Sequence, residues 1–346
     1  MKEKIIHSQS GSISPWGRSK ASILLFTLWA LFLLAVFGVY LGRGVRQRIE
    51  LVKSITTRRN LYCIAEAGIQ KGIFELMKDQ TVYDALGEEW SNNPAEFQDI
   101  KVGLGKFNVG YDYYNKEGEE EFWFGIADEE RKININTSSR LIIQKLFEVV
   151  TGVDETKAQE LAASIVDWRD KDSFLSIPIG SAEDMYYNSR EEPYDSKDAE
   201  FQVYEELLLV KGMDKELYDK IKRFITLYGN GVININTASH YVLLALGIDE
   251  ILIDKIIAYR EGDDEMPGTA DDNIFDISSN IVATLSQSYS LSPSEVSTLS
   301  NLVSGGVLGT NSYNFMIDST ATIGAMKKEI VCVVNREGKV ISWREQ

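Results

Sequence analysis

From Ala21 to Leu41 the chain reads ASILLFTLWALFLLAVFGVYL, with no charge in the run. A helix of that length crosses a hydrocarbon core of about 30 Å. A cleaved secretory signal is the rival reading, but its apolar region is shorter and no small-x-small site follows here. Beyond the run, Val45, Ile49, Val52, Ile55, Ile64, Ile69, Ile73, Leu76 and Met77 keep a three-four spacing among charged residues. No proline lies between Pro15 and Pro94. The pattern predicts one rod from about Ser22 to Lys78, facing lipid first and then offering an apolar stripe.

The period then changes. Residues 80–104 are mixed and polar and read as a loop. Residues 105–114 (GKFNVGYDYY) alternate, with Phe107, Val109 and Tyr111 on one face, and 121–130 form a second strand. Three more strands are predicted at 312–323, 327–336 and 339–345, the last two joined by a short turn at Asn335–Gly338. Neither group makes a good sheet alone. Joined, they give a small antiparallel sheet for the rod to cover. The stretch 134–305 reads as mostly helical. The predicted organisation is a leader at 1–21, the rod at 22–80, a β part at 81–133 and 306–346, and an inserted helical domain at 134–305. The fold class is α+β.

One phrase is written twice: KININTSSRLIIQKL from Lys132 and GVININTASHYVLLAL from Gly231. Thr137 and Thr237 read as helix N-caps. Gly152 and Gly247 end the helices, and Asp154 and Asp249 restart the next ones. A half-copy carries Gly212 and Asp214. These are helical hairpins with tight corners, of helix-hairpin-helix type. Hairpins whose corner reads Gly-x-Gly bind DNA phosphates through open N–H groups. Here an aspartate holds the third corner position, so packing on one another is the simpler role.

Charge strengthens that reading. Net charge is −16 and the sequence pI about 4.7, so a phosphate backbone is a poor partner. Only His7 and His240 occur, too few for a histidine triad or zinc centre, and Cys63 and Cys332 make no disulfide framework. No phosphate-binding Gly-rich loop is present. Acidic residues gather in two loops: Asp167, Asp170, Asp172, Glu183 and Asp184 around Pro178, and Asp263, Asp264, Asp271 and Asp272 around Pro267. Both fit the oxygen-rich chemistry of a Ca2+ site loosely, and both fit solvated acidic turns.

The order of pieces resembles one family. ASILLFTLWALF follows a short basic leader; EFWFGIADE leads to ININT; DWRDKD precedes GSAEDMYY; then come ELLLVKGMDKELYDKI, a second ININTAS and a closing GKVISWREQ. Together they resemble the minor pseudopilin K (GspK) of type II secretion. The resemblance implies a pilin-like α+β domain with a large helical insertion, calcium in the insertion, and no enzymatic activity. It implies partners in the I- and J-type minor pseudopilins, other inner-membrane secretion components and prepilin peptidase. The body would lie in the periplasm, although Arg43, Arg46, Arg48, Lys53, Arg58 and Arg59 after the span argue the other way by charge count. The peptidase cut, followed by N-methylation, falls between Ala21 and Ser22, where glycine is usual before the cut. The fifth residue after it is Phe26, where most filament subunits carry glutamate, and that lack implies a place at the tip. Two rival readings are a membrane-tethered DNA receptor of the competence type and a type IV minor pilin.

Overall fold

The computed structural model describes residues 17–115 and 118–346, with side chains from residue 22 onward. Most of the expected leader thus lies outside the described residues, and Ala21 is described only as helical backbone. The chain divides into two compact units between Asn60 and Leu61. A single helix, α1 (Gly17–Lys78), runs through both. In the first unit its apolar side chains are exposed, Ile23, Phe26 and Trp29 among them, and so are Val45, Ile49, Val52 and Ile55. The helix is long and apolar enough to cross a membrane.

In the second unit the stripe is buried. Leu61, Ile64, Ala65, Ile69, Ile73 and Leu76 pack with Phe107, Val109, Phe315, Ile317, Ile330, Cys332 and Val334. Met77 remains exposed, one position past the stripe. The expected loop at 80–104 contains a helical turn, α2 (Pro94–Phe97), and a strand, β1 (Ile100–Val102). Phe97 is fully buried and anchors them. β1 pairs antiparallel with β2 (Gly105–Val109).

The expected strand 105–114 is broken at Gly110. A side chain there would meet the Trp123 carbonyl at 2.5 Å. Beyond the break, β3 (Tyr111–Tyr114) and β4 (Glu120–Trp123) form a separate hairpin, with Tyr113 stacked on Trp123 at 4.0 Å between ring centres. Tyr111 therefore leaves the face of Phe107 and Val109. β5 (Ala127–Asp128) follows.

The helical body then begins. It comprises β6 (Ile133–Asn134), α3 (Arg140–Thr151), α4 (Glu155–Arg169), α5 (Asp184–Tyr187) and α6 (Lys215–Ile221). Next come β7 (Ile225–Thr226), β8 (Ile233–Asn234), α7 (His240–Ala245), α8 (Glu250–Arg260), α9 (Ile281–Ser288), α10 (Pro293–Ser304) and β9 (Leu308–Gly309). One apolar core, drawn from Ile133 to Leu308, serves all of it. The chain returns to the sheet through β10 (Asn314–Ile323), β11 (Met326–Asn335) and β12 (Val340–Glu345). The sheet order is β1-β2-β10-β11-β12, with β5 also on β10. Asp128 and Phe315 are antiparallel partners, so the body leaves and re-enters the sheet at one place.

The helix meets the sheet very closely. A Cβ on Gly68 would lie 2.1 Å from Ser319 Oγ, and one on Gly72 would lie 2.9 Å from the Ile317 side chain. Both partners are buried, so neither gives way freely. We expect Gly72→Leu to cost ~1–3 kcal/mol by overpacking, read as a lowered urea midpoint. The same change at Gly44, inside the helix with nothing within 4 Å, should not destabilise and should gain about 0.5–1 kcal/mol of helix propensity.

Candidate functional site

The doubled phrase builds the same device twice. β6 pairs in parallel with β7, and β8 pairs in parallel with β9. In each copy the first asparagine closes a turn. Asn134 Oδ1 accepts the N–H of Asn136 at 2.8 Å, and Asn234 Oδ1 accepts that of Asn236 at 3.0 Å. The second asparagine grips a distant backbone. Phe201 N–H donates to Asn136 Oδ1, and Phe275 N–H donates to Asn236 Oδ1. Each asparagine amide returns a bond to the same residue's carbonyl. An arginine closing the second helix then clamps the turn. Arg169 donates to the carbonyls of Ile135 and Ser138, and Arg260 to those of Ile235 and Ala238.

The caps differ from expectation. Ser139 and Ser239, not Thr137 and Thr237, accept the first-turn N–H groups of α3 and α7. The asparagine turn occupies the threonine backbone, and the Thr237 hydroxyl donates to Asp128 instead. At the corners, Gly152, Gly212 and Gly247 have φ of +72°, +83° and +83°, the left-handed region cheap only for glycine. Asp154, Asp214 and Asp249 accept the N–H groups of Lys157, Leu217 and Leu252. Each corner carboxylate thus caps a helix where a phosphate-binding hairpin would leave N–H groups open.

The two copies diverge in what their first asparagine holds. The Asn134 amide donates to the carbonyls of Tyr228 and Gly229 within the helical body. The Asn234 amide reaches Asp128 Oδ2 at 3.0 Å, Ser312 Oγ at 2.9 Å and the Asp84 carbonyl at 3.0 Å. Asp128 also accepts from Ser312, Thr237 and the Glu130 N–H. Asp84 accepts the Ser312 N–H and pairs with Arg336, which also holds Asp79. Glu130 accepts the backbone and side-chain N–H groups of Asn314. A buried polar knot therefore ties the second copy to the sheet. The pattern of the chain does not single out Asp84, Asp128 or Glu130: the first falls in the expected loop at 80–104 and the other two at the end of the expected strand 121–130.

Burial raises these acids. Asp84 is pushed up to about 7, with the charge of Asp128 adding to burial. Glu130 rises to about 8 for the same two reasons. Among the described residues, Asp79, Asp84 and Glu88 are the one group of three carboxylates whose oxygens all lie within 4.8 Å. Arg336 already occupies it.

The first acidic loop is different. Asp167 is fully buried at the end of α4, and its Oδ1 accepts the Ser176 N–H. Its Oδ2, Asp170 Oδ1 and Glu183 Oε1 are buried with no hydrogen-bond partner. Glu183 is pushed up to about 7 by burial and then by Asp167, Asp170, Asp198 and Asp184. Asp198, absent from the sequence reading, sits at φ +51° and joins the cluster through Ser196 Oγ, 2.9 Å from its carboxylate. Ser196 Oγ also lies 2.6 Å from Asp184. Asp172 is exposed and accepts the Phe174 N–H. Orphaned buried carboxylate oxygens in a bendable loop suit a hard cation. Asp167, Asp170 and Glu183 fit such an ion, although they are not drawn together as tightly as the Asp84 group.

The second loop satisfies itself. Asp271 accepts from Asp263 N–H, Asp264 N–H and Thr269. Asp272 accepts from Gly268 and Thr269, and Asp264 from Met266. None of its carboxylate oxygens is among the described buried orphans. Position along the repeat makes it the counterpart of the first loop, yet it lacks that demand for a cation.

The polar knot predicts a pH dependence. Folded-state pKa values at Asp84 and Glu130 lie above the unfolded ones. Their contribution is complete below the ordinary carboxylate range and is lost as pH rises through about 7 and then 8. The melting temperature should therefore fall between pH 5 and 9, and fall less in Glu130→Gln. Parallel melting curves across that range check it.

Three comparisons bear on the chain. A family model described as type II secretion system protein K matches residues 117–230. The type II secretion system protein K of Aeromonas hydrophila is 24% identical over 250 residues, which is 68% of this chain and 73% of that protein. A chain in the crystal structure of the GspK–GspI–GspJ complex from enterotoxigenic Escherichia coli is similar with a TM-score of 0.60 at 18% identity. That match covers 87% of this chain and 99% of that one, and shows a shared fold.

Proposed function

We propose, from the premise that this chain belongs to the type II secretion system protein K family, that it is a minor pseudopilin closing the tip of the pseudopilus. It would start or cap the fibre with I- and J-type minor pseudopilins, the company that GspK keeps in the solved Escherichia coli complex. The work is structural rather than catalytic. One observation carries the tip reading: a second core, spanning Ile133 to Leu308, is grafted between β5 and β10 of the pilin-like sheet. A uniform stack of such subunits has no room for that body.

Phe26 supports the same reading. It stands in the helix of the first unit, where a neighbour's buried amine would need a carboxylate. The membrane helix would be single-pass, with the amino terminus in the cytoplasm and the body in the periplasm. Prepilin peptidase would expose Ser22. In the first acidic loop, Asp167, Asp170 and Glu183 would hold Ca2+, which relieves their mutual repulsion and fixes the link between α4 and α5. The buried orphan oxygens support this.

Two outcomes are expected. Purified with I- and J-type partners, the chain should enter a complex, and a gold label on it should mark one end of assembled fibres. Labels spaced along the fibre would count against the tip. Calcium chloride should raise the melting temperature relative to a chelator, and Glu183→Gln should remove that rise. An unchanged melting temperature in the wild-type chain would rule the loop out as a calcium site.

A further inference from the structure

The link between the two copies of the repeated device carries chemistry that neither fibre assembly nor calcium uses. β7 ends at Thr226 and β8 begins at Ile233. Residues 227–232 between them read LYGNGV, and Asn230 with Gly231 is the sole Asn–Gly pair in the sequence. Asn230 is exposed. Its Oδ1 accepts the Val232 N–H at 3.2 Å, which closes a turn around the Gly231 nitrogen. Among the described residues, neither the Gly231 N–H nor Asn230 Nδ2 donates a hydrogen bond. Gly229 and Gly231 have φ of +86° and +87°, a bend that is cheap only for glycine, and no side chain at 231 shields the nitrogen.

The two Asn–Ser pairs, the next most open sequence for the same chemistry, are closed off. Ser189 N–H donates to the Tyr186 carbonyl at 3.1 Å, and the Asn188 amide is held by Asp195 at 2.9 Å. Ser312 is buried, and its N–H donates to Asp84.

We propose that Asn230 is a site of self-modification and that the modified link loosens the helical body. The Gly231 nitrogen loses its proton to solvent base and attacks Asn230 Cγ. A C–N bond forms, the Cγ–Nδ2 bond breaks, and Nδ2 leaves as ammonia. Water then opens the cyclic imide at either carbonyl, giving aspartate or isoaspartate. Water is the only co-reactant, and the net change replaces NH by O. The isoaspartate form routes the main chain through the former side chain and lengthens it by the Cβ atom. On one side of the link, the Asn134 amide grips the carbonyls of Tyr228 and Gly229, each at 2.8 Å. On the other, Asn234 enters the buried knot. A longer link disturbs the seating of one grip or the other. The site depends on neither the tip position nor the calcium loop.

The test ages the full chain in detergent at pH 5 and pH 9 and maps its peptides by mass spectrometry, with isoaspartyl methyltransferase as the probe for isoaspartate. The peptide holding Asn230 should gain the mass of the NH-to-O exchange at least tenfold faster than those holding Asn188 or Asn311, and faster at pH 9. The melting temperature, read at one common pH, should fall as isoaspartate accumulates. Asn230→Gln, whose extra methylene slows ring closure, should show neither change. The proposal is overturned if the folded chain stays unmodified at Asn230; reaction there in urea alone would show the loop protecting the pair. It is overturned equally if Asn188 and Asn311 react as fast, or if the modified chain melts as the fresh one does. An equal loss of stability in aged Asn230→Gln would place the damage elsewhere and overturn it too.

Discussion

A carboxylate cannot be taken out of water without compensation, and Asp128 is wholly buried. Among the described residues no arginine or lysine pairs with it; its compensation is a ring of neutral donors from Asn234, Thr237, Ser312 and the Glu130 backbone. These donors come from opposite sides of the sheet-to-body junction, so each side is satisfied only when the other is in place. The antiparallel pairing of β5 with β10 supplies the frame, and the knot fixes what is attached to it. Burial beside Asp128 raises Glu130 as well, and raises Asp84 even though Arg336 pairs with it.

The duplicated unit shows how one device serves two ends. Both copies use an asparagine turn, a serine cap, a left-handed glycine, an aspartate cap and a closing arginine. In the first copy the asparagine amide spends its donors on carbonyls inside the body; in the second it reaches the sheet. The acidic loops that follow diverge as well. One leaves carboxylate oxygens without donors and so invites a cation, whereas the other consumes its oxygens on its own backbone. Tying the body to the sheet and leaving carboxylate oxygens unpaired thus fall to different copies.

Close packing sets the other constraint. Gly68 and Gly72 let α1 settle against β10, which leaves the opposite face of the sheet free to form a polar cleft. The inner face is apolar and finished.

The sequence by itself determined the elements governed by local period and local chemistry. The long helix, the buried stripe from Ile64 to Leu76, the three closing strands and the glycine–aspartate corners follow from neighbours a few residues apart. The pairing of distant segments was decided only by the tertiary structure. Gly110 breaks a strand because Trp123 arrives above it. The Thr237 hydroxyl, freed because Ser239 caps α7, donates to Asp128, more than a hundred residues back along the chain. Glu183 is pushed up because burial sets it beside Asp167 and Asp170, more than ten residues back along the chain. In each case the deciding group is far away along the chain, and burial, which sets the cost of leaving a polar atom unpaired, exists only once the cores have closed.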